Sequence, residues 1–549
     1  MARPCKPGVL AWLWVASLGV QAAPLPLDVI GLYVTGATPV VAGSGYQAGD
    51  TLALPGGATV SVAKLTAGTG IAEVSVTQPL LHDCLGPGPV TASSTHGSGA
   101  QFTLAVLRPT AYGTHLLSRC YKGPAITAEG KALNFLADGT LAPGAFTRIT
   151  TWHDQGGGNN DATQLDATLR PVLSAERRHG NSRAVLFDAH AGAGEWDPTN
   201  TYMNLPTSVT LAANHFTLAV IGAATSAFAP VGFVTVGDIA DRNAGLEFAH
   251  YSPRPTACDG AGDNAYAAVV PTETPAVIVC SADAQGKTLD MLGTSTTSPG
   301  GNASVLAGGS LGLSGGDRSG LVNLSAAIIV PWPLDAATRA ALSASLAQTF
   351  SVPTATGGVI VVLGDSHSDG SGAPFQQGWP HQMISQLGRD DLQLVNAARY
   401  GGRLADAVGL WQQYALPNLA ASHSPNKVVI LQGGYNDQQS GQSADDILAT
   451  YRRGAALAHK AGAKVVCVAD VIRSAEPRAN STLMVVNAAL RAPLDSCDAV
   501  IDWASEPAFN RPAGPYPPPL FASDRIHLTA QGQALQARMA AAVIAGLLK

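Results

Sequence analysis

The stretch VIVVLGDSHSDG, residues 359–370, constrains this chain more than any other. Val359, Ile360, Val361 and Val362 make an apolar run of the kind that forms a buried strand, and Gly364 with Asp365 then breaks it. Ser366 therefore falls at a strand end. In an open parallel α/β sheet the ligand site lies at the strand ends, because loops converge there while the sheet faces are covered. A serine so placed could be a nucleophile or a turn residue.

Three later stretches bear on that choice. The strand candidate Leu392 to Val395 ends in NAARYGGR, where Gly401 and Gly402 permit a sharp turn with exposed backbone N–H groups. A second, Lys427 to Leu431, ends in QGGYND. Near the end of the chain SDRIHLTAQGQAL places Asp524 three residues before His527, ahead of an alanine-rich amphipathic helix. Four strand-end or loop motifs thus supply Ser, Gly, Asn, and Asp with His, in that order.

This ordered set, GDSHSDG, NAARYGG, GGYND and DRIHL over roughly the last third of the chain, resembles the SGNH hydrolases, also called the GDSL esterases and lipases. One departure is His367, which stands where the older family name has leucine. The resemblance implies a three-layer, flavodoxin-like α/β domain, with Ser366 as nucleophile, His527 as general base and Asp524 orienting the histidine. It also implies an oxyanion hole formed by the backbone N–H groups of Ser366 and Gly401 and the side-chain amide of Asn436. The chemistry calls for these residue types. A serine hydroxyl attacks poorly until an imidazole takes its proton, and a carboxylate fixes the imidazole tautomer. The Asp-x-x-His spacing lets one turn present both groups. Read singly, Asn436 with Asp437 could be a loop cap, Gly401 a helix-entry turn, and His367 or His381 a rival base. Asp365 reads as structural, holding the turn through its carboxylate.

The N-terminal residues MARPCKPGVLAWLWVASLGVQAAPLP combine Arg3 and Lys6 with an apolar core from Val9 to Val20 and small residues near Ala22. That is the pattern of a secretory signal peptide, too short to span a bilayer, with cleavage expected after Ala22. Losing Arg3 and Lys6 takes the net charge from −6 to −8, which argues against a nucleic-acid partner. With no later apolar run of about 18 residues, no membrane insertion is expected. The expected location is secreted or periplasmic. Of seven cysteines, Cys5 leaves with the leader. Proximity suggests Cys258 with Cys280, Cys467 with Cys497, and Cys84 with Cys120 across a domain border, although six cysteines allow fifteen pairings. No CxxC or HExxH spacing points to a metal, and no cofactor is expected. Asn302, Asn323 and Asn480 head glycosylation sequons.

At 549 residues the chain has room for several domains. The expected division is a leader at 1–22, a small Gly-rich β module at 23–108, a β-sandwich at 109–353 and the hydrolase domain at 354–549. Short runs such as ATVSVAKL and AEVSVTQPL mark the first β module. In the second, FTLAVIGAA, VGFVTVGD, AVIVCSAD and LSAAIIVPW read as strands, and Asp335 to Phe350 reads as a helix. There LLSRCYKGPAI and ITTWHDQGGGNNDATQ resemble segments of concanavalin-like sandwiches, including the arabinofuranosidase B catalytic domain. Trp152, Asp154 and Asn160 could line a sugar site or brace a loop. Glu247 follows no trusted pattern.

Together these features imply a secreted serine esterase whose partner is an ester substrate, an O-acetylated carbohydrate by association with the sandwich. The alternatives are a lipase or arylesterase, acetyl transfer to a sugar, or a carbohydrate-binding surface protein with an inactive hydrolase domain. The Pro-rich loop 511–520 could shape an acyl pocket.

Overall fold

The computed structural model describes residues 25–86, 88–114, 116, 120–133, 147–173, 184–187, 201–224, 232–237, 257–258, 265–266, 275–291, 294–299, 304–314, 318–319, 322–352, 357–373, 377–389, 391–471, 477–492, 496–509 and 519–549. The expected leader and its cleavage point, Asn302, Glu247 and most of the 511–520 loop lie outside these residues.

The C-terminal region is built on a five-stranded, wholly parallel sheet. Its strands are β1 (Gly358–Leu363), β2 (Leu392–Asn396), β3 (Lys427–Leu431), β4 (Lys464–Ala469) and β5 (Ala499–Asp502), in the order β2-β1-β3-β4-β5. Every residue of β1 is buried, as an aliphatic run without polar interruption requires. Its side chains alternate between two cores. Val359, Val361 and Leu363 pack with Leu404, Trp411 and Tyr451 on one face, whereas Ile360 and Val362 pack with Trp379, Met383 and Ile544 on the other. The first face is covered by helices α3 (Leu404–Gly409), α4 (Trp411–Ala421), α6 (Ala444–Lys460) and α7 (Pro477–Arg491). The second is covered by α2 (Trp379–Leu387) and α8 (Ala530–Ala545). Two short helices, α1 (Ser366–Asp369) and α5 (Tyr435–Gln439), follow β1 and β3 directly at the carboxyl ends of those strands. The three layers therefore leave one functional edge, where β1, β2 and β3 deliver their loops.

The region before this domain is mostly strands in antiparallel sheets. Near the N-terminus, Leu32–Val41 pairs with Gln101–Leu107, and a separate three-stranded sheet runs through Thr51–Ala53, Thr59–Leu65 and Ile71–Gln78. Further on, the described strands join into one large antiparallel sheet around Val322–Val330, which is buried throughout and pairs with Phe216–Ala224, Val185–Phe187 and Thr110–Gly113. The helix expected at 335–350 spans Ala336–Thr349, its first turn capped by Asp335 accepting from the Thr338 N–H at 2.8 Å. Leu342 and Leu346 of that helix pack against Trp332, Leu27 and Ile30. Disulfides join Cys84 to Cys120, Cys258 to Cys280 and Cys467 to Cys497.

In the WHDQGGGNND segment the structure shows a braced loop. Trp152 is fully buried. Asp154 accepts four backbone N–H groups: Ala111 at 3.0 Å, Gly156 at 2.8 Å, Gly158 at 2.9 Å and Asn160 at 3.1 Å. Burial pushes the Asp154 carboxyl up against the pull of those four donors. Asn160 donates to Thr110 Oγ1 and accepts from Ser208 Oγ, so its amide is also engaged in holding the loop.

Candidate active site

The Gly364–Asp365 break turns the chain from β1 into α1, and Asp365 caps that helix by accepting the His367 N–H at 3.0 Å. Ser366 is thereby the first residue of α1, buried to 7% exposure at the strand end. Below it lies Gln432, fully buried, whose Oε1 accepts the Asp365 N–H at 3.1 Å and the Ser368 hydroxyl at 2.8 Å. Gln432 Nε2 donates to Asp470 Oδ2 at 2.8 Å. The turn that carries the serine is therefore tied to β3 and to the residue after β4.

His527 Nε2 stands 2.9 Å from Ser366 Oγ. Its Nδ1 is 2.5 Å from Asp524 Oδ2, while Asp524 Oδ1 accepts the backbone N–H groups of Ile526 at 2.9 Å and His527 at 3.0 Å. One turn thus presents both side chains because the carboxylate closes that turn on itself. Burial raises the Asp524 carboxyl, but the Ile526 and His527 N–H groups and the imidazole together hold it below the ordinary carboxylate range. It remains the anionic partner that orients the ring. Gly372 reaches this turn closely, since a Cβ there would sit 2.7 Å from His527 Cβ, and its φ of +87° suits only glycine.

The rival base His367 has a different task. Its Nε2 lies 3.0 Å from the Ile526 carbonyl, which can only accept, so that nitrogen carries the proton. Its side chain is fully buried, with Nδ1 3.9 Å from Asp470 Oδ1. His367 therefore clamps the Asp524–His527 turn onto α1. His381 lies buried in α2.

Gly401 has φ +65° in the turn after β2, and Gly402 closes that turn with its N–H on the Arg399 carbonyl at 2.9 Å. Asn436, in α5, donates through Nδ2 to the Gly402 carbonyl at 2.8 Å. That nitrogen has two hydrogens, so one remains. Asp437 caps its own loop through the Gly434 N–H at 3.2 Å, and also accepts the Leu404 N–H at 2.9 Å and the Ala405 N–H at 3.3 Å. The glycine turn and the Asn436 loop are thus bound together twice.

The structure brings Ser366, His527 and Asp524 into one hydrogen-bonded chain and gathers Gly401 and Asn436 into one neighbouring cluster. Sequence reasoning missed Gln432, the cross-tie from Asp437 and Tyr400, whose ring stacks on His527 with centroids 5.7 Å apart and planes at 28°. Gln432 and Asp437 do flank the glycines of QGGYND, but their partners lie in other segments. Among the described residues no group of His, Cys, Asp and Glu could hold a metal ion.

Residues 362–535 match the GDSL-like Lipase/Acylhydrolase family, a span that contains all of these groups. The C-terminal region is a GDSL/SGNH hydrolase domain of the esterase and lipase type, and the protein is a carboxylic ester hydrolase. No curated protein matches the chain. Among solved structures it is similar to the psychrotrophic esterase EstA from Pseudoalteromonas sp., at 16% identity, covering 34% of this chain and 96% of that one with a TM-score of 0.28. It is also similar to TesA, at 22% identity over 35% and 99% of the two chains with a TM-score of 0.28. A third is the lipase/acylhydrolase from Enterococcus faecalis, at 20% identity over 35% and 97% with a TM-score of 0.25.

Proposed function

We propose that the protein is a secreted serine esterase that removes O-acetyl groups from a carbohydrate through a Ser366–His527–Asp524 triad and an acyl-enzyme. The observation that carries the mechanism is the continuous chain from Ser366 Oγ to His527 at 2.9 Å and from His527 to Asp524 at 2.5 Å. His527 Nε2 takes the hydroxyl proton as Oγ attacks the ester carbonyl. The N–H groups of Ser366 and Gly401 and the second hydrogen of the Asn436 amide receive the charge that develops on the carbonyl oxygen. As the tetrahedral intermediate collapses, the C–O bond to the alcohol breaks and His527 returns the proton to the leaving oxygen. Water, activated by the same imidazole, then attacks the acyl-enzyme and releases the acid with Ser366 restored.

Support for a sugar ester comes from the large antiparallel region and from the resemblance of its 149–164 segment to concanavalin-like sandwiches. Support for secretion comes from the charged and apolar pattern of residues 1–22 and from three disulfides, which persist in oxidising compartments. The test is acid release from p-nitrophenyl acetate, butyrate and octanoate and from acetylated xylan. Activity on acetate and xylan that disappears in Ser366→Ala is the expected result. A preference for octanoate overturns the carbohydrate assignment, and full activity in the variant overturns the triad.

A further inference from the structure

Tyr400 is the one aromatic among the exposed large hydrophobic side chains of the described residues, at 47% exposure. Its place is set by the nucleophile turn, because the preceding residue, Arg399, donates its N–H to the Gly364 carbonyl at 3.1 Å. The following residue is Gly401. One face of the phenol ring lies over the His527 imidazole, with centroids 5.7 Å apart at 28°. At 47% exposure the ring keeps apolar surface in water beside the nucleophile turn.

Resting on the serine-esterase reading, we propose that Tyr400 is a specificity-determining residue that recognises the alcohol portion of the ester, as a platform for a ring-bearing alcohol such as a pyranose. When the tetrahedral intermediate collapses, the leaving oxygen must lie within hydrogen-bond reach of His527 Nε2, about 2.6–3.2 Å. The first atoms of the alcohol are therefore beside the imidazole, and the ring they carry reaches the aromatic stacked on that imidazole. The acyl group, bonded to Ser366 Oγ with its oxygen toward Gly401 and Asn436, has no such constraint toward Tyr400. An aromatic face suits the C–H face of a sugar or an aryl ring and offers a flexible alkyl alcohol much less. Tyr400 thus selects on the alcohol and leaves acyl length to other groups.

The test compares wild type, Tyr400→Ala and Tyr400→Phe on phenyl acetate, ethyl acetate and phenyl butyrate, with Ser366→Ala in parallel. Dividing each variant rate by the wild-type rate on the same ester cancels intrinsic leaving-group reactivity. The expected result is a roughly two- to tenfold fall in the phenyl-to-ethyl ratio of kcat/KM for Tyr400→Ala, carried mainly by KM. Tyr400→Phe restores that ratio, and the acetate-to-butyrate ratio stays put in all three. Equal losses on phenyl and ethyl acetate overturn the proposal and leave Tyr400 as a brace for the imidazole. A shift in the acetate-to-butyrate ratio also overturns it, by placing the residue on the acyl side. Residual activity in Ser366→Ala strikes at the serine mechanism instead, so the two failures are distinguishable.

Discussion

Among the described residues, two hydroxyl–imidazole–carboxylate chains have nearly equal dimensions. In the hydrolase domain Ser366, His527 and Asp524 are linked at 2.9 and 2.5 Å. In the antiparallel region Thr127 Oγ1 lies 2.8 Å from His153 Nε2, and His153 Nδ1 lies 2.8 Å from Asp161 Oδ2. What separates them is the setting. Ser366 stands where a parallel strand ends and two further loops converge, one with a left-handed glycine and one with an amide. Thr127 is the middle residue of Ile126–Ala128, a strand laddered on one side to Lys131–Leu133 and on the other to Thr147–Trp152. Its carbonyl accepts the Thr150 hydroxyl, and Asp161 Oδ1 accepts the Asp154 N–H. Each group of the second chain ties one strand or loop to another. A proton relay becomes a catalytic site only where donors also converge on a developing charge.

Removing each hydroxyl in turn separates the two chains most. Ser366→Ala is expected to lower kcat on p-nitrophenyl acetate by roughly 10⁴ or more, whereas Thr127→Val leaves kcat near wild type. Matching losses would make the two chains equivalent. Next in size is the loss of the proposed oxyanion donor. Asn436→Ala is expected to cost about 10²–10³ in kcat, and steady-state kinetics on the same ester measure it.

On the structural side, Asp154→Ala leaves four backbone N–H groups without their acceptor and is expected to cost roughly 2–4 kcal/mol of stability. Denaturant titration reads that loss, with kcat per folded molecule unchanged. The smallest effect concerns acid. The Asp524 carboxyl lies below its ordinary value near 3.9, so it stabilises the fold when ionised. That contribution is present above the ordinary value and fades as pH falls through the lower folded one. Because the group is 43% exposed, it amounts to less than about 1 kcal/mol. The stability difference between wild type and Asp524→Asn should therefore shrink in strong acid, and pH-dependent denaturation curves test this.

Much of the site was legible in the sequence where the responsible forces are local. The apolar runs at 359–362, 392–395 and 427–431 became β1, β2 and β3, since each is long enough to form a covered strand and each stops at a turn signal. Asp524 and His527 were legible as a pair because the same carboxylate caps the turn between them. Asp437 was legible only in part. Its cap on Gly434 is local, but its bonds to Leu404 and Ala405 reach across more than thirty residues. His367 looked like a possible base by residue type alone, and only its contact with the Ile526 carbonyl shows which nitrogen holds the proton. Tyr400 gave no signal, because a tyrosine beside two glycines reads the same whether or not an imidazole lies under it.

The strand ends, the glycine turns, the Asp-x-x-His turn and the helix near 335–350 are encoded locally, because strand, turn and helix preferences act over a few neighbouring residues. The tertiary structure decided which hydroxyl meets which imidazole. Ser366 and His527 are 161 positions apart, and their 2.9 Å contact exists only because β1 lies inside the sheet, between β2 and β3, while α2 and α8 share one face of it. It also set the Thr127 chain between laddered strands and the Ser366 chain at a strand end where two further loops converge. The two relays have closely similar side-chain geometry, and the groups around them are set by packing that no short stretch of sequence encodes.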